Sequence, residues 1–275
     1  MLNTLSNSSL ETFIHYLNAY LVLEQCEDKS PCNSKVNEAL SQLVTSICQE
    51  YKNNEATNQW VIENPLTQTI YSKMLRHLAQ AEYEMELYYS KRYNEQTNLS
   101  REDISNFLYF NQYKQLLMKE IEMIKQLIKL DHYEKVAFIG SGPLPISVFL
   151  LKEYLQKPVF CIDYSHQANQ LAMKLTEKLS INTISYYTTF AHNIHYDDST
   201  IIFIASLTMD KEKLLKHLSK VAPKALIIVR SADSVHRLLY RPVDEKMFRP
   251  YGYEQIAKTY GDALSINSSL FLKQK

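Results

Sequence analysis

The sequence predicts an α/β protein in two parts: an all-α helical domain over residues 1–129, then, over residues 130–275, a mostly parallel sheet that ends in an antiparallel hairpin. Three observations carry this. From Leu10 to about Gln126 there is no glycine and only Pro31 and Pro65, and apolar positions recur at spacings of three and four, as on one face of a helix. After Asp131, short β-branched and apolar runs alternate with helical periods, the pattern of βαβ units around a parallel sheet. Near the end, Tyr253 to Thr259 and Ser265 to Leu272 follow one another with no room for a helix, so they pair antiparallel through YGDAL.

The helical part is divided by stretches rich in turn formers and charge at Cys26 to Asn33, Tyr51 to Asn58 and Asn94 to Ser100, which gives four or five helices. In NLSRE, Ser100 is an N-cap followed by acidic first-turn residues, and the apolar and aromatic stretch behind it can continue as helix to about Lys129. The strands are KVAFIG, PVFCID, ISYYT, TIIFIAS and ALIIVR, read as buried on both faces. Helices between them fall at Leu144 to Tyr154, His166 to Leu179 and Lys211 to Ser219.

With 30 basic and 30 acidic residues the formal net charge is zero, so nothing in the totals attracts nucleic acid or anionic lipid. The N-terminus has no basic segment ahead of its apolar stretch, and no window reaches the roughly 18 apolar residues of a membrane span, which suits a cytoplasmic protein. Cys26, Cys32, Cys48 and Cys161 form neither a C-x-x-C pair nor a Cys/His cluster, so they read as reduced thiols and no metal site is expected. Glycine is the informative count: there are four, where average usage would give about nineteen. Two of them, Gly140 and Gly142, share one turn. Oligomeric state is left open.

The run VAFIGSGPLP sets a buried strand, a glycine-rich turn and a helix start in succession. Gly140 and Gly142 allow a tight turn and close backbone approach of a ligand, and the helix start offers unpaired N–H groups to a carboxylate or phosphate. The competing reading is a structural turn without a ligand. Pro145 stands where a dinucleotide G-x-G-x-x-G has its third glycine, which disfavours an NAD site. Asp163, closing the second strand, reads either as acceptor for the ribose hydroxyls of an adenosine-containing ligand or as a helix N-cap. Turn and acid together point to a nucleoside.

VAFIGSGPLPISVFLL resembles the glycine-rich motif of nicotianamine synthases, which follow the GSGP turn with Leu-Pro. The resemblance continues in order through IDYSHQANQLA, IIFIASLTMDKEK, IIVRSADSVHRLLYRPVD and SINSSLFLKQK, and in the helical half through QAEYEMELYYS and NFLYFNQYKQLLMKE, covering residues 80 to 275 or so. It implies a Rossmann-like sheet of the S-adenosylmethionine (SAM)-dependent transferase kind with a helical lid. The implied enzyme moves the 3-amino-3-carboxypropyl (aminobutanoyl) group of SAM onto a small-molecule amine or amino acid, releases methylthioadenosine and builds a metal-chelating metallophore, as in bacterial opine-metallophore pathways. It needs no metal itself. A SAM-dependent methyltransferase is the alternative.

Residue by residue, Gly140, Ser141, Gly142 and Pro143 match the cofactor turn, Asp163 the ribose acid, Glu86 the catalytic glutamate and Tyr113 the tyrosine facing it. Arg230 and Tyr240 match positions in R-S-A and L-Y and, with Tyr109, are the implied substrate contacts. Phe190 replaces the family's acid after the third strand, so adenine must be held by stacking or by a backbone contact. His236 stands where the family has a second arginine, with Arg237 one place later.

On the residues alone, other readings stand beside these. Glu82 and Glu86, four apart with Glu84 between them, are also what a solvated acidic helix face looks like. Tyr109, Phe110 and Tyr113 form a stripe that core packing would equally produce. Arg230 closes a buried strand and must meet a carboxylate, either an internal one or a substrate's. Tyr240 and His236 each read as packing or pocket lining, with packing preferred for His236. In the implied reaction an ammonium loses its proton before attacking, and Glu86, its pKa raised by enclosure, is the base that Tyr113 orients or relays for.

Overall fold

In the computed structural model, which describes residues 7–51, 55–262 and 265–275, six helices precede the first strand. They are α1 (Asn7–Gln25), α2 (Ser34–Glu50), α3 (Glu55–Glu63), α4 (Pro65–Glu95), α5 (Arg101–Ser105) and α6 (Phe110–Leu127). The sequence predicts four or five, and the additional boundaries have local causes. Pro65 has no N–H to continue a helix, so α3 stops at Glu63 and the Asn64 side chain caps α4, accepting from the Leu66 N–H at 3.0 Å. Ser100 caps α5 as expected, in a capping box with Asp103, but the helix ends at Ser105 instead of running on to Lys129. There Phe107 turns into the core, 3% exposed, against the rings of Tyr89, Tyr109 and Tyr113, and the chain restarts as α6. The break at Tyr51 to Asn58 is shorter than expected because Glu55 already opens α3; residues 52–54, like residues 263–264 of the YGDAL link, lie outside those described.

The second part runs β1 (Lys135–Ile139), α7 (Ile146–Leu155), β2 (Val159–Asp163), α8 (His166–Lys178), β3 (Ile184–Thr188), β4 (Thr200–Ile204), α9 (Lys211–Val221), β5 (Leu226–Ser231), β6 (Tyr253–Thr259) and β7 (Ser268–Gln274). All the runs singled out as strands are strands. Their order in the sheet is β3-β2-β1-β4-β5-β7-β6. β1 to β5 are parallel, and β7 lies antiparallel between β5 and β6. Val136 and Phe138 of β1 face the α6 and α7 side with Leu117 and Leu151, while Ala137 and Ile139 face Leu214, Leu215 and Leu218 of α9. Such double burial is why these strands read as unbroken apolar runs. β3 departs from that expectation: it is an edge strand, and Ser185, Tyr187 and Thr188 are exposed.

Strand order reverses between β1 and β4, so the turns after β1, β2 and β4 open on one crevice at the carboxyl ends, where open α/β sheets bind ligands. The long helix α4 lies across it. Tyr83 meets Ser165 hydroxyl to hydroxyl at 2.8 Å, and Asn94 Nδ2 donates to the Leu171 carbonyl at 3.1 Å. A third apolar cluster locks α1 to α4 onto Val235, Leu238 and Leu239, just after β5.

Candidate active site

The glycine turn takes the backbone conformation its residues were expected to serve, with φ of +79° at Gly140 and +67° at Gly142. Both are also close-approach positions. A Cβ on Gly140 would stand 2.6 Å from Thr208 Oγ1, and one on Gly142 would stand 2.5 Å from Glu86 Oε2. Glu86 is thus brought from α4 directly against the turn after β1. Ser141 and Pro143 are buried beside it, and α7 starts without a side-chain cap.

Asp163 ties the turn to the next strand. Its Oδ2 accepts from the Gly142 N–H at 3.0 Å and its Oδ1 from the Ser165 N–H at 2.9 Å. The N-cap of α8 is Ser165, whose Oγ accepts from the Ala168 N–H. Burial raises the Asp163 pKa, and the two N–H bonds pull it back. Two accepted bonds leave lone pairs of the carboxylate for hydroxyl donors.

Two glutamate–tyrosine pairs, one helical turn apart, line the crevice. Tyr113 O–H donates to Glu86 Oε1 at 3.0 Å, and Tyr240 O–H donates to Glu82 Oε2 at 2.8 Å. Burial, and next the charge of Glu82, hold the Glu86 carboxyl well above the usual carboxylate range against the opposing bond from Tyr113. Glu82 is raised by burial, with the Tyr240 bond and the Arg230 charge opposing. Burial and the adjacent carboxylates push both phenols well above 10, so they act as donors. Because the acids repel, the second proton of the pair leaves less readily than the first. Tyr109, at the start of α6, is half-buried edge-on to Phe107, its pKa raised by burial, then by Tyr89 and Glu82. Glu84 faces elsewhere and accepts from the Lys29 N–H at 2.9 Å.

Arg230 meets an internal carboxylate. Its Nε and Nη2 donate to the two oxygens of Glu120 at 3.0 Å each, Nη1 donates to Ser147 Oγ at 3.0 Å, and Ser269 Oγ donates to Glu120 at 2.6 Å. The guanidinium also lies over the Phe138 ring. His236 packs, fully buried, flat against Tyr51 at 4.1 Å between centroids, and burial lowers its pKa to about 4. Sequence reasoning missed three polar residues here. Glu82 carried a signal in its spacing from Glu86; Glu120, on α6, and Lys211 carried none. Lys211 is 8% exposed, its Nζ donates to the carbonyls of Ser206 and Arg230 at 2.9 and 2.8 Å, and burial followed by the charges of Arg241 and Arg230 lowers its pKa to about 7.

Among the described residues no group of three or more His, Cys, Asp or Glu is placed to hold a metal ion, and no helix is long and apolar enough to cross a membrane. A surface hollow of about 500 Å³ lined by Lys135, Phe160, Tyr187 and His195 includes none of the crevice residues.

A family model described as nicotianamine synthase protein matches residues 7–275. The chain belongs to the nicotianamine synthase family. The match takes in α1 to α3, a region in which the motifs of the sequence analysis have no counterpart. Nicotianamine synthase 3 of Oryza sativa subsp. indica is 28% identical over 222 residues, covering 75% of this chain and 64% of that protein, so the chain spans somewhat less than two thirds of that relative. Nicotianamine synthase 2 of Arabidopsis thaliana is 29% identical over 240 residues, covering 83% of this chain and 73% of that one. Among solved structures, MtNAS in complex with MTA and tNA superposes with a TM-score of 0.81 at 17% identity, over 96% of this chain and 98% of that one. A glutamate-to-glutamine mutant of MtNAS in complex with S-adenosylmethionine superposes with a TM-score of 0.82 at 17% identity, over 95% and 97%. At that identity the likeness establishes a shared fold: this nicotianamine synthase family member has the helix-capped, mostly parallel sheet of MtNAS.

Proposed function

We propose that this chain transfers the 3-amino-3-carboxypropyl group of SAM to the nitrogen of a small-molecule amine or amino acid and releases methylthioadenosine. The observation that carries the reading is Glu86 Oε2 held against Gly142, which puts a carboxylate of raised pKa at the edge of a nucleoside turn. SAM and methylthioadenosine are carried over from the family and from the MtNAS complexes with S-adenosylmethionine and MTA.

A sulfonium has three carbons open to displacement, and the one in line with the attacking nitrogen reacts. Orientation therefore selects the product. In this reading the Gly140–Pro143 turn and Asp163 fix the nucleoside, so that the methionine-derived methylene faces the α4 wall. Glu86 takes a proton from the acceptor's ammonium, the nitrogen forms a bond to that methylene, and the carbon–sulfur bond breaks. Its electron pair stays on sulfur, which leaves as a neutral thioether. Tyr113 orients the base. Tyr240 holds Glu82 as a second acceptor for cationic nitrogen, Tyr109 lines the same wall, and Arg230 supports the floor through Glu120. A sulfonium leaving group is already activated, so no Lewis acid is asked of the protein; the metal is a ligand of the product.

Mass spectrometry of enzyme incubated with SAM and candidate amines tests the reading. Methylthioadenosine with an adduct bearing the aminocarboxypropyl group is expected. S-adenosylhomocysteine with a methylated acceptor would overturn the proposal in favour of methyl transfer.

A further inference from the structure

β3 ends the sheet on one side, and its outer backbone groups meet no further strand. The Thr183 carbonyl accepts from the Val159 N–H at 3.0 Å and the Thr189 N–H donates to the Asp163 carbonyl at 3.1 Å, so the odd-numbered residues turn their backbone groups toward β2. Backbone direction alternates along a strand, which leaves the N–H and C=O of Ile184, Tyr186 and Thr188 pointing outward. Exposed edges of this kind are ordinarily blunted by charge or proline. Here neither is used: from Leu179 to Tyr196 there is no Asp, Glu, Lys, Arg or Pro, although 22% of the whole chain is charged. One face of the strand is bare as well. Tyr186 turns to α8, its hydroxyl 2.7 Å from Thr176 Oγ1, but the crossover from β3 to β4 holds only the short turn Ala191–Asn193, so no helix covers Ser185 and Tyr187 on the other face. The surface hollow of about 500 Å³ opens there, and Tyr187, 44% exposed, stands edge-on to Phe160 within it.

We propose that β3 pairs with β3 of a second copy of this chain, antiparallel about a two-fold axis at Tyr186, so that two seven-stranded sheets become one. The inference does not rest on the SAM reading. In this register Tyr186 faces its own counterpart and Ile184 faces Thr188 of the second copy. Each such pair exchanges two hydrogen bonds, so every outward group of the strand is satisfied. Symmetry and charge identify the partner. A two-fold contact sets a surface against itself, and like charges opposite one another across strands are destabilising, so an edge that pairs with itself has to be uncharged. An edge built to receive an acidic or basic segment would carry the opposite charge. Ser185 lies opposite Tyr187 of the second copy, and the two Tyr187 side chains meet on the diagonal across the axis, over the bare face. Five residues of ladder make a small contact, so the dimer is a weak one, with a dissociation constant of about 10–100 μM.

Sedimentation equilibrium of the full chain from about 1 to 300 μM, a range that brackets a weak dimer, tests this on the wild type, Tyr187→Lys and Tyr187→Glu. The wild type is expected to pass from monomer to dimer across the range. Each variant sets like charges on the diagonal and removes an aromatic pair, and should weaken the dimer about tenfold. Because Tyr187 is exposed, both variants should melt with the wild type. An equimolar mixture of the two variants should recover an affinity within about threefold of the wild type's, since opposite charges then meet across the axis. Unchanged dimerisation in both variants would put the contact on another face and overturn the proposal, as would a mixture that associates no better than its components. A wild type still monomeric at the highest concentration would overturn it too and leave the β3 edge to a strand from a different protein.

Discussion

A carboxylate that must deprotonate an ammonium works best when its own pKa lies near the working pH, and burial followed by the Glu82 charge raises that of Glu86 in this direction. If it is the base, Glu86→Gln keeps shape and the Tyr113 contact but lowers single-turnover methylthioadenosine release by roughly 10²–10⁴, with nucleoside affinity little changed. Glu84→Gln, altered on the Lys29 side of α4, should release it at the wild-type rate. Normal release from Glu86→Gln would move the base elsewhere. Glu82 makes a separate prediction, because its charge is the second cause of the raised Glu86 pKa. In Glu82→Gln the acidic limb of the kcat–pH profile should move to lower pH, as expected for removing a like charge one helical turn away. Stability should change too. A carboxyl whose folded pKa is raised contributes stability in its protonated form, and that contribution is lost as pH rises through the raised value. Glu82→Gln cannot ionise, so its melting temperature should exceed the wild type's at pH 8 and approach it near pH 4. An unshifted limb and a parallel melting profile would show that the two acids are not coupled.

The same acids show how far elements could be read in advance. β1 to β5 were legible because burial on both faces leaves an apolar run between turns, and the glycine turn because a chain with four glycines places two there. The break between α5 and α6 was hidden, since Phe107 suits the middle of an amphipathic helix as well as it suits a core-filling turn. Arg230 could be seen to need a carboxylate, but nothing local names a partner 110 positions away. That pair now gives the test for its elements. It joins α6 to β5, both side chains are at most 5% exposed, and neither reaches water easily. Arg230→Met leaves the Glu120 charge buried without its cation, at a cost of about 3–5 kcal/mol, whereas Arg230→Met with Glu120→Met removes both charges and should recover much of that. Urea unfolding of the single and double variants decides. Equal loss in both would mean that the guanidinium matters for packing over Phe138 and not for its charge.

Across the whole molecule, the helices and the sheet were read from different periodicities, which invites treating residues 1–129 and 130–275 as separate bodies. The packing argues for one cooperative unit. Tyr93, Ile104, Leu117 and Ile121 from the helices share a single apolar cluster with Phe138, Phe203 and Ile228 of the sheet. Val235, Leu238 and Leu239, which follow β5, are core residues of the cluster formed by α1 to α4. Cutting between the two parts would expose both of these clusters, and only the cluster on the α9 face of the sheet lies within one part. The crevice depends on the same contacts, because Glu82 and Glu86 come from α4 while Gly142, Asp163 and Tyr240 come from the sheet side. The chain's one tryptophan makes this measurable. Trp60 packs edge-on against Phe13, 5.5 Å between ring centroids, in the cluster that α1 to α4 form with Val235, Leu238 and Leu239, so its fluorescence reports that cluster, whereas far-UV circular dichroism reports the whole chain. Urea transitions followed by the two signals should coincide in midpoint and slope, as a two-state unit requires. A fluorescence transition completed before the dichroism begins to fall would show that the helical part opens by itself, and the site would then be one that assembles only when α4 closes.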